Sequence, residues 1–343
     1  MTPVKKATIN DVAETAGVSV STVSLVLSGK GRISAGTRAR VHAAIKKLEF
    51  VRNRQAAALR GGQSGVIGLI VRDLTHSFYT EVTAGLTAGL EAQGYMLFLT
   101  QGGRQGQHIT GCLETLIARG VDGIVIVGAP GENAPWRELA QQHRVPLVFV
   151  SRASDQSDTD MIRPDNMQAA RLLTEHLVQR GHQRIAWVGG LSSSLIRAER
   201  VGGFCATLLQ YGLPFHSEWI IECESGQHQA AEAMMNLLHH NPTITAVICH
   251  NSTVATGAWF GLMRAGRQSG DEGMTSLFEQ QVTLAAFADV EEAQLDDLPL
   301  TWATLPAREM GRLAAQRIVQ AATGESVAEH HTMLPARLVT RKP

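Results

Sequence analysis

The chain has 343 residues, of which 44% are hydrophobic and 18% charged. A chain of this length is too long for one ordinary hydrophobic core, and its composition is that of a globular protein of two or three domains, which excludes a fibrous or disordered chain. The formal net charge is zero, but residues 1–60 hold 11 Lys and Arg against 3 Asp and Glu, whereas the other 283 residues hold 20 against 28.

This uneven charge gives the first indication of a partner. A basic end joined to an acidic body is typical of a protein whose one end contacts a polyanion such as DNA while the other end avoids it. A basic face that is merely solvated produces the same pattern, so charge alone leaves both interpretations open.

Membrane segments and disulfides are not indicated. The longest apolar run, VIGLIV at residues 66–71, is far shorter than the ~20 residues of a membrane-spanning helix. Residues 1–6 contain lysines but no apolar stretch follows, so we expect no signal peptide, no membrane partner and a cytoplasmic protein.

The cysteines are Cys112, Cys205, Cys223 and Cys249. They form no CxxC pair, and we expect buried, reduced thiols and no metal site.

Three short helices are predicted at the N-terminus. Thr8 can cap the first helix, which Gly17 ends through a positive φ. Ser19 and Ser34 can cap the second and third helices in the same way. Each helix carries apolar residues on one face, so the three can bury a common core. Two helices joined by a Gly-containing turn and braced by a third predict an all-α helix-turn-helix headpiece.

The second helix begins with small residues, as a helix must if this end is to enter the major groove. Val20 can contact a thymine methyl group, and Ser21 can form a hydrogen bond with a base edge. Ser19 and Thr22 can reach phosphates. We therefore predict contact with double-stranded DNA. The alternative is a three-helix bundle with no nucleic-acid role, which explains neither the basic charge nor the hydroxyl-rich helix start.

Residues 53–63 predict a short hinge helix and linker. Asn53 can cap about two alanine-rich turns, a length that is mostly unfolded alone in water. Its large apolar side chain, Leu59, lies in sequence between Arg54 and Arg60. A segment that folds only when docked, with an apolar wedge between cations, fits insertion into the minor groove. A flexible linker is the alternative that these residues leave open.

From residue 64 onward, short apolar runs alternate with helical periods. This alternation predicts an α/β core of parallel sheets with right-handed crossovers, and nine candidate strands suit two lobes better than one sheet. The predicted strands are Val66–Val71, Tyr95–Thr100, Gly123–Val127, Leu147–Ser151, Arg184–Val188, Ala246–His250, Leu284–Phe287, Trp302–Leu305 and Met333–Thr340.

Three segments carry a specific resemblance: TINDVAETAGVSVSTVSLVLSGKGRIS, TRARVHAAIKKLEFVRNRQAAALRGG and SGVIGLIV. They strongly resemble the N-terminus of the LacI/GalR family of bacterial repressors, and the match extends along nearly the whole chain. The resemblance implies that Val20, Ser21 and Leu25 read bases and that Leu59 intercalates. Leu25 stands where many members carry a polar or basic residue, which favours reading by methyl contacts and DNA shape. The predicted DNA-contacting residues are Thr8, Ser19, Val20, Ser21, Thr22, Leu25, Asn53, Arg54, Ala56, Leu59 and Arg60.

The resemblance also implies a doubly wound core of two lobes, like that of periplasmic sugar-binding proteins, with a ligand between the carboxyl ends of facing strands. Three crossings between lobes are expected near Pro164, near residues 290–300 and near Gly324. The predicted domains are a helix-turn-helix domain over 1–52, a hinge over 53–63 and an effector-binding and dimerisation core over 64–343, whose lobes take about 64–163 plus 303–323 and about 164–302 plus 324–343.

Candidate effector contacts lie at predicted strand ends. Asp73 and Phe78 follow the first strand, and Phe78 could stack on a sugar-like face. By resemblance, Arg200 matches the arginine with which the family grips its effector, a role suited to the several donors of a guanidinium. A surface arginine paired with Glu199 or with solvent is the alternative.

Two further effector contacts depart from the family pattern. Asn251 matches an Asn-Asp pair in which Ser252 replaces the aspartate, and Asp289 matches an Asp-Asp pair in which Ala288 replaces the first aspartate. The site has thus lost acceptors that usually bind sugar hydroxyls. We expect a sugar or sugar-related effector, and the losses favour considering an anionic or less hydroxylated one over a simple monosaccharide.

The resemblance implies a homodimeric repressor on a palindromic operator, controlled by a small molecule and needing no cofactor. No leucine heptad follows Val339, so we expect a dimer and not a tetramer. A secreted sugar-binding protein would share the core but would have no use for residues 1–60. An enzyme would need a catalytic constellation, and the sequence contains no G-x-S-x-G, Walker or H-E-x-x-H motif.

Overall fold

A computed structural model describes residues 7–29, 32–50, 63–103, 106–128, 136–150, 160–268, 281–289, 300–325 and 331–340. The chain divides into two compact units, Met1–Ser64 and Gly65–Pro343. We call the first unit the headpiece and the second the core. Among the described residues, no helix is both long and apolar enough to cross a membrane.

The headpiece has three described helices, α1 (Ile9–Ala16), α2 (Val20–Ser28) and α3 (Ala35–Lys47). Their shared core is made of small aliphatic side chains, which allows helices this short to approach closely. The buried members are Val12, Ala13, Ala16, Val23, Val26, Val41 and Ala44. The predicted helix-turn-helix is therefore confirmed.

Local capping explains where these helices begin and end. Ser19 and Ser34 accept hydrogen bonds from the backbone N–H groups of Thr22 and Thr37, each at 3.2 Å, as N-cap residues do. Gly17 ends α1 with a φ of 63°, a conformation that costs glycine little.

The first lobe of the core contains a six-stranded sheet in the order β11-β5-β4-β3-β1-β2, in which the neighbouring strands are all parallel. Its strands are β1 (Val66–Val71), β2 (Met96–Gln101), β3 (Gly123–Val127), β4 (Leu147–Val150), β5 (Asp160–Pro164) and β11 (His331–Leu334). Its helices are α4 (Ser77–Glu91), α5 (Ile109–Ala118), α6 (Trp136–Gln142) and α11 (Ala307–Thr323). Helices α4 and α11 cover one face, and α5 and α6 cover the other.

The second lobe contains another six-stranded sheet, in the order β12-β10-β9-β8-β6-β7, which is parallel except that β12 runs antiparallel to β10. Its strands are β6 (Ile185–Val188), β7 (Ile220–Ile221), β8 (Ala246–Cys249), β9 (Thr283–Ala288), β10 (Thr301–Thr304) and β12 (Arg337–Val339). Its helices are α7 (Asn166–Gln179), α8 (Leu195–Gln210), α9 (Gln227–His240) and α10 (Ser252–Arg264), and a 3₁₀ turn spans Ser217–Trp219. Helices α9 and α10 cover one face, and α7 and α8 the other.

Close backbone contact fixes α11 on the first lobe. A Cβ atom built on Gly85 of α4 would lie 1.9 Å from the carbonyl oxygen of Arg308, and one built on Gly311 would lie 2.2 Å from that of Val82. Arg308 also forms an ion pair with Glu81 at 2.8 Å. These glycines let the two helices approach until their backbones touch, so α11 belongs to the first lobe although it follows β10 of the second.

Within the described residues, the chain crosses between the lobes at three places, and two of these differ from the prediction. The first crossing follows Pro164, the last residue of β5. The second lies between β10 and α11 and not at 290–300, because β10 pairs with β9 in the second sheet. The third lies between Leu334 and Arg337 and not near Gly324, because β11 pairs with β5 in the first sheet. The predicted lobe assignment of residues 303–304 and 331–334 was therefore wrong.

Strand prediction failed where strands are short or polar. β5 (DMIRP) and β7 (II) were not predicted, since neither has the continuous apolar run of a buried strand. The predicted strand Met333–Thr340 is in fact two strands in different sheets, interrupted at Pro335. The cysteines are free, as predicted, but only Cys249 is fully buried, and the others are partly exposed.

Candidate DNA-reading surface and effector cleft

The start of α2 presents a cluster of hydroxyl groups. The Ser19 Oγ lies 2.8 Å from the Ser21 Oγ and 2.9 Å from the Thr22 Oγ1. Ser19 and Ser21 are exposed and Thr22 is half-buried. Hydroxyls at a helix N-terminus can donate to phosphate oxygens or to base acceptors, and the positive end of the helix dipole favours an anion there. The structure thus brings these three predicted residues together on one surface.

Apolar side chains adjoin this cluster. Val20 is half-buried against the headpiece core, whereas Leu25 is 41% exposed. A leucine exposed one turn beyond a hydroxyl-lined helix start offers methyl groups of the kind that contact thymine. Thr8 has a different main role, since its hydroxyl and its N–H both donate to the Asp11 carboxylate at 2.7 Å and so form the cap of α1.

The described headpiece carries exposed cations. They are Arg32, Arg38, Arg40, Lys46 and Lys47. Such residues neutralise DNA phosphates in a sequence-independent way and account for affinity more than for specificity. The predicted hinge contacts are Asn53, Arg54, Ala56, Leu59 and Arg60. All five lie outside the residues that the structure describes.

Arg200 is the centre of a buried polar network in the second lobe. Its Nε donates to the Asn166 Oδ1 at 3.0 Å, and its Nη1 donates to the His250 carbonyl oxygen at 2.6 Å. The guanidinium carbon lies 4.1 Å from the centre of the Phe287 ring, a cation–π contact. Burial lowers the pKa of Arg200 to about 10, against the opposing effect of Asp289 and Glu199. The side chain is therefore charged at neutral pH.

Glu199 does not pair with Arg200 directly. Its carboxylate accepts from the Arg163 Nη1 at 2.7 Å and from the Asn166 Nδ2 at 2.8 Å. Because Arg163 is on β5 of the first lobe and Glu199 on α8 of the second, this ion pair joins the lobes beside the first crossing. The alternative of Arg200 as a solvated surface arginine is excluded by its burial and by these contacts.

Asp289 follows β9 and is buried. An oxygen of its carboxylate lies 4.0 Å from the Nδ1 of His76, which precedes α4 in the first lobe. Burial raises the pKa of Asp289, and the nearby His76 and Arg200 oppose that rise. The same residue lines a cavity of about 480 Å³ beside the second and third crossings, whose walls include Leu305 and Pro335.

Two predicted effector contacts, Asn251 and Phe78, have structural roles. The Asn251 Oδ1 accepts from the Val254 N–H at 2.8 Å and caps α10, and its Nδ2 donates to the Ser225 Oγ at 3.0 Å. Phe78, predicted to stack on a ligand, is buried in the hydrophobic core of the first lobe. A buried ring at the start of an amphipathic helix contributes to stability through its packing.

Asp73 closes the turn after β1. Its Oδ1 accepts from the Thr75 N–H at 2.9 Å and from the Thr75 hydroxyl at 2.7 Å. Next to it, half-buried Tyr79 has its pKa raised mainly by burial, with Arg72 opposing and Asp73 and Asp289 adding to the rise. The charges of Asp73 in the first lobe and of Asp289 in the second lobe therefore both act on the Tyr79 hydroxyl.

Comparison with known proteins shows the family to which the chain belongs. A profile described as "Bacterial regulatory proteins, lacI family" matches residues 8–53, and one described as "Periplasmic binding proteins and sugar binding domain of LacI family" matches residues 64–342. The chain belongs to the LacI family. It is a DNA-binding transcriptional repressor with an effector-binding domain, and not an enzyme.

The named relatives and solved structures that the chain resembles are also transcriptional regulators. This LacI-family chain is 61% identical to the "Maltose regulon regulatory protein MalI" of Escherichia coli K12 over the whole length of both, and 29% identical to the ribose operon repressor of the same strain over 98% of this chain and 99% of that one. A structure of the Lac repressor dimer bound to operator and the anti-inducer ONPF has a TM-score of 0.84 at 27% identity, and a complex of the regulator CelR with cellobiose has 0.70 at 25%, each covering 98% of this chain and 99% of the other.

Sequence reasoning missed three polar side chains of this LacI-family cleft. His76 precedes α4 and Arg197 lies in the first turns of α8. Neither position is marked by the hydrophobic pattern of the sequence. His250 ended a predicted strand, and a polar residue at the carboxyl end of a buried parallel strand is itself a signal for a ligand contact. Its ring is buried, and the centre of the ring lies 6.2 Å from the centre of the Trp187 ring.

Proposed function

We propose that the chain represses transcription as a homodimer on a palindromic operator of a maltose-related regulon, in the cytoplasm, under control of a sugar or sugar-related metabolite. The observation that carries the DNA-reading part is the hydroxyl cluster of Ser19, Ser21 and Thr22 beside exposed Leu25 on α2. The regulon follows from the relative that is 61% identical and named for the maltose regulon.

The division of labour follows the domains. We assign residues 1–52 to operator reading and 53–63 to the hinge. Residues 64–343 form the effector-binding and dimerisation core, with its lobes divided at the three crossings described above. In the hinge, Arg54 and Arg60 contact phosphates, and Leu59 enters the minor groove.

Exposed apolar side chains support a dimer. Met96, Phe98 and Leu99 on edge strand β2 are 58%, 37% and 39% exposed. Large apolar groups along an unpaired sheet edge are typical of an interaction surface. Since the Lac repressor, 27% identical, is described as a dimer on its operator, we assign this edge to contact with a second copy.

Control by the effector requires two arrangements of the lobes. A ligand shifts an equilibrium only by its difference in affinity for the two states. Arg200, Asp289 and Asp73 are the contacts we assign to the ligand in this cleft. The ion pair of Arg163 with Glu199 spans the lobes beside the site. Asn166 connects this pair to Arg200, since it accepts from Arg200 and donates to Glu199. A ligand that moves Arg200 therefore alters a contact between the lobes.

Selection of bound duplexes from a random pool tests the DNA-reading proposal. We expect a two-fold symmetric sequence, protected in footprinting by the full-length protein. Replacing Ser21 by Ala should relax the preference at one position of each half-site, by about 1–3 kcal/mol, whereas Ser24→Ala, an exposed serine later on the same helix, is the matched control. Recovery of no common sequence would overturn the proposal.

A further inference from the structure

The loop between β6 and α8 contains two glycines and leads into a helix N-terminus. Gly189 and Gly190 follow the strand with φ angles of 100° and 81°, and three serines, Ser192 to Ser194, lead into the helix. A helix N-terminus carries a partial positive charge that favours an anion, whereas the Gly189 N–H already donates to the Ile221 carbonyl oxygen at 2.8 Å and is not available to a ligand. The loop already binds one carboxylate, since the Ser192 N–H and Oγ donate to the Glu222 Oε1 at 2.9 and 3.2 Å.

His250 is an unpartnered polar group beside this loop. Its residue exposure is 9%, and its Nδ1 is buried without a hydrogen-bond partner among the described residues. A Cβ built on Gly190 would lie 3.0 Å from this Nδ1, so the imidazole abuts the loop. A buried polar atom left without a partner costs free energy, and such atoms are uncommon unless a ligand or water serves them.

Cations converge on the same point. The Arg197 Nε donates to the Gly189 carbonyl oxygen at 3.3 Å, and its Cδ would lie 2.9 Å from a Cβ on Gly190. Arg200 holds the His250 carbonyl oxygen. Burial, followed by the charges of Arg200, Arg197 and His76, holds the pKa of His250 well below its ordinary value near 6.5.

The carboxylates near this cluster are accounted for. Glu199 is bound by Arg163 and Asn166, and Glu222 by Ser192. Asp289 faces Arg200 and His76 from the other strand end.

We propose that Arg197, Arg200 and the ring of His250 bind the phosphate group of a phosphorylated small-molecule effector. The inference rests on the proposed function, because it assigns the chemical class of the ligand that the cleft takes. Guanidinium groups match phosphate oxygens in geometry and charge. The phosphate also supplies acceptors for the helix N-terminus and for the neutral His250 ring, whose buried Nδ1 donates when it carries the ring proton.

Inorganic phosphate in chloride buffer is the probe, with binding to the full-length protein measured by calorimetry. We expect saturable binding that Arg197→Gln weakens at least about tenfold, as for loss of one charge-assisted hydrogen bond. Arg171→Gln, on the surface of α7 in an exposed pair with Glu175, should leave phosphate affinity unchanged. Glu222→Gln should tighten binding severalfold because it removes a competing carboxylate, a gain that a folding defect would not produce.

The outcomes separate this inference from the proposed function. No saturable phosphate binding by the wild type, or equal affinity in wild type and Arg197→Gln, overturns the phosphate site. An uncharged sugar can also be added to the operator complexes of the wild type and of Arg197→Gln. If it releases operator equally from both, the phosphate site is overturned while the repressor function stands. Failure of the full-length protein to prefer any duplex would refute the repressor function, and the phosphate titration would still judge the site.

Discussion

The headpiece and the effector cleft depend on their sequence in opposite ways. The functional side chains of the headpiece lie within one helix, are exposed, and are placed by caps only three residues away, as Ser19 and Thr22 are. Those of the cleft are buried and come from distant parts of the chain, since Arg200 contacts Asn166 and His250. Local signals therefore define the reading surface, whereas the cleft depends on how two sheets assemble.

The largest predicted effect is a loss of stability where α4 and α11 pack together in the first lobe. Gly85→Ala places a methyl group 1.9 Å from the Arg308 carbonyl oxygen, so α4 and α11 must separate, at about 3 kcal/mol. Gly111→Ala is the matched control, since a Cβ there meets nothing within 4 Å. All tryptophans lie after residue 130, so unfolding followed by tryptophan fluorescence reports the core alone. Equal midpoints for the two variants would contradict the packing described.

The hinge should give the next largest effect. Leu59→Ala should weaken operator binding by about tenfold to a hundredfold, because the wedge contacts that offset base unstacking are lost. Leu209→Ala, which truncates a leucine that is 67% exposed on α8, should leave affinity unchanged. Gel-shift titration at fixed salt measures both. Unaltered affinity in Leu59→Ala would favour a flexible linker.

The sequence predicted what local chemistry determines. Thr8, Gly17, Ser19 and Ser34 were assigned as caps from residue type and spacing, and all four occupy those positions. The two parallel sheets also followed from apolar runs. The third crossing was misplaced, because nothing local shows that β11 pairs with β5 more than 160 residues away.

The cleft was predicted less well for the same reason. Phe78 and Asn251 were assigned from strand-end position and resemblance, but tertiary packing buries the first and uses the second as a cap. Arg200 is buried as a predicted site residue would be, but its partners could not be derived, since α7, the residue after β8, and β9 provide them. Residue type indicates which chemistry is possible, and topology decides which partner it meets.

A smaller effect is expected at the first cap. Thr8→Ala removes the hydrogen bonds with Asp11, and loss of an N-cap costs about 1 kcal/mol. Hydrogen exchange of the backbone amides of α1 should accelerate by about fivefold in the full-length protein. Thr15→Ala, an exposed position inside the same helix, provides the control. Equal exchange rates in the two variants would show that the capping box contributes nothing.

The smallest predicted effect concerns pH. Because the folded-state pKa of His250 lies below 6.5, the unfolded chain binds a proton that the folded chain does not, and stability is lost as pH falls below 6.5. His250→Gln should reduce this loss, by less than about 1 kcal/mol between about pH 6.5 and pH 6. Asp289 changes the stability in the opposite direction as pH falls, since burial raises its pKa. Because both proteins contain Asp289, the comparison of wild type with His250→Gln in denaturant titrations at each pH isolates the effect of His250. Identical slopes would show that His250 is not held neutral.

The most direct test compares affinity for a selected operator with affinity for a scrambled duplex at physiological salt. The full-length protein should prefer the operator by at least about a thousandfold. Joint replacement of Ser19, Ser21 and Thr22 by Ala should remove most of that preference while leaving the tryptophan-monitored stability of the core unchanged. Equal affinity of the wild type for both duplexes would contradict the assignment of the α2 surface to operator reading.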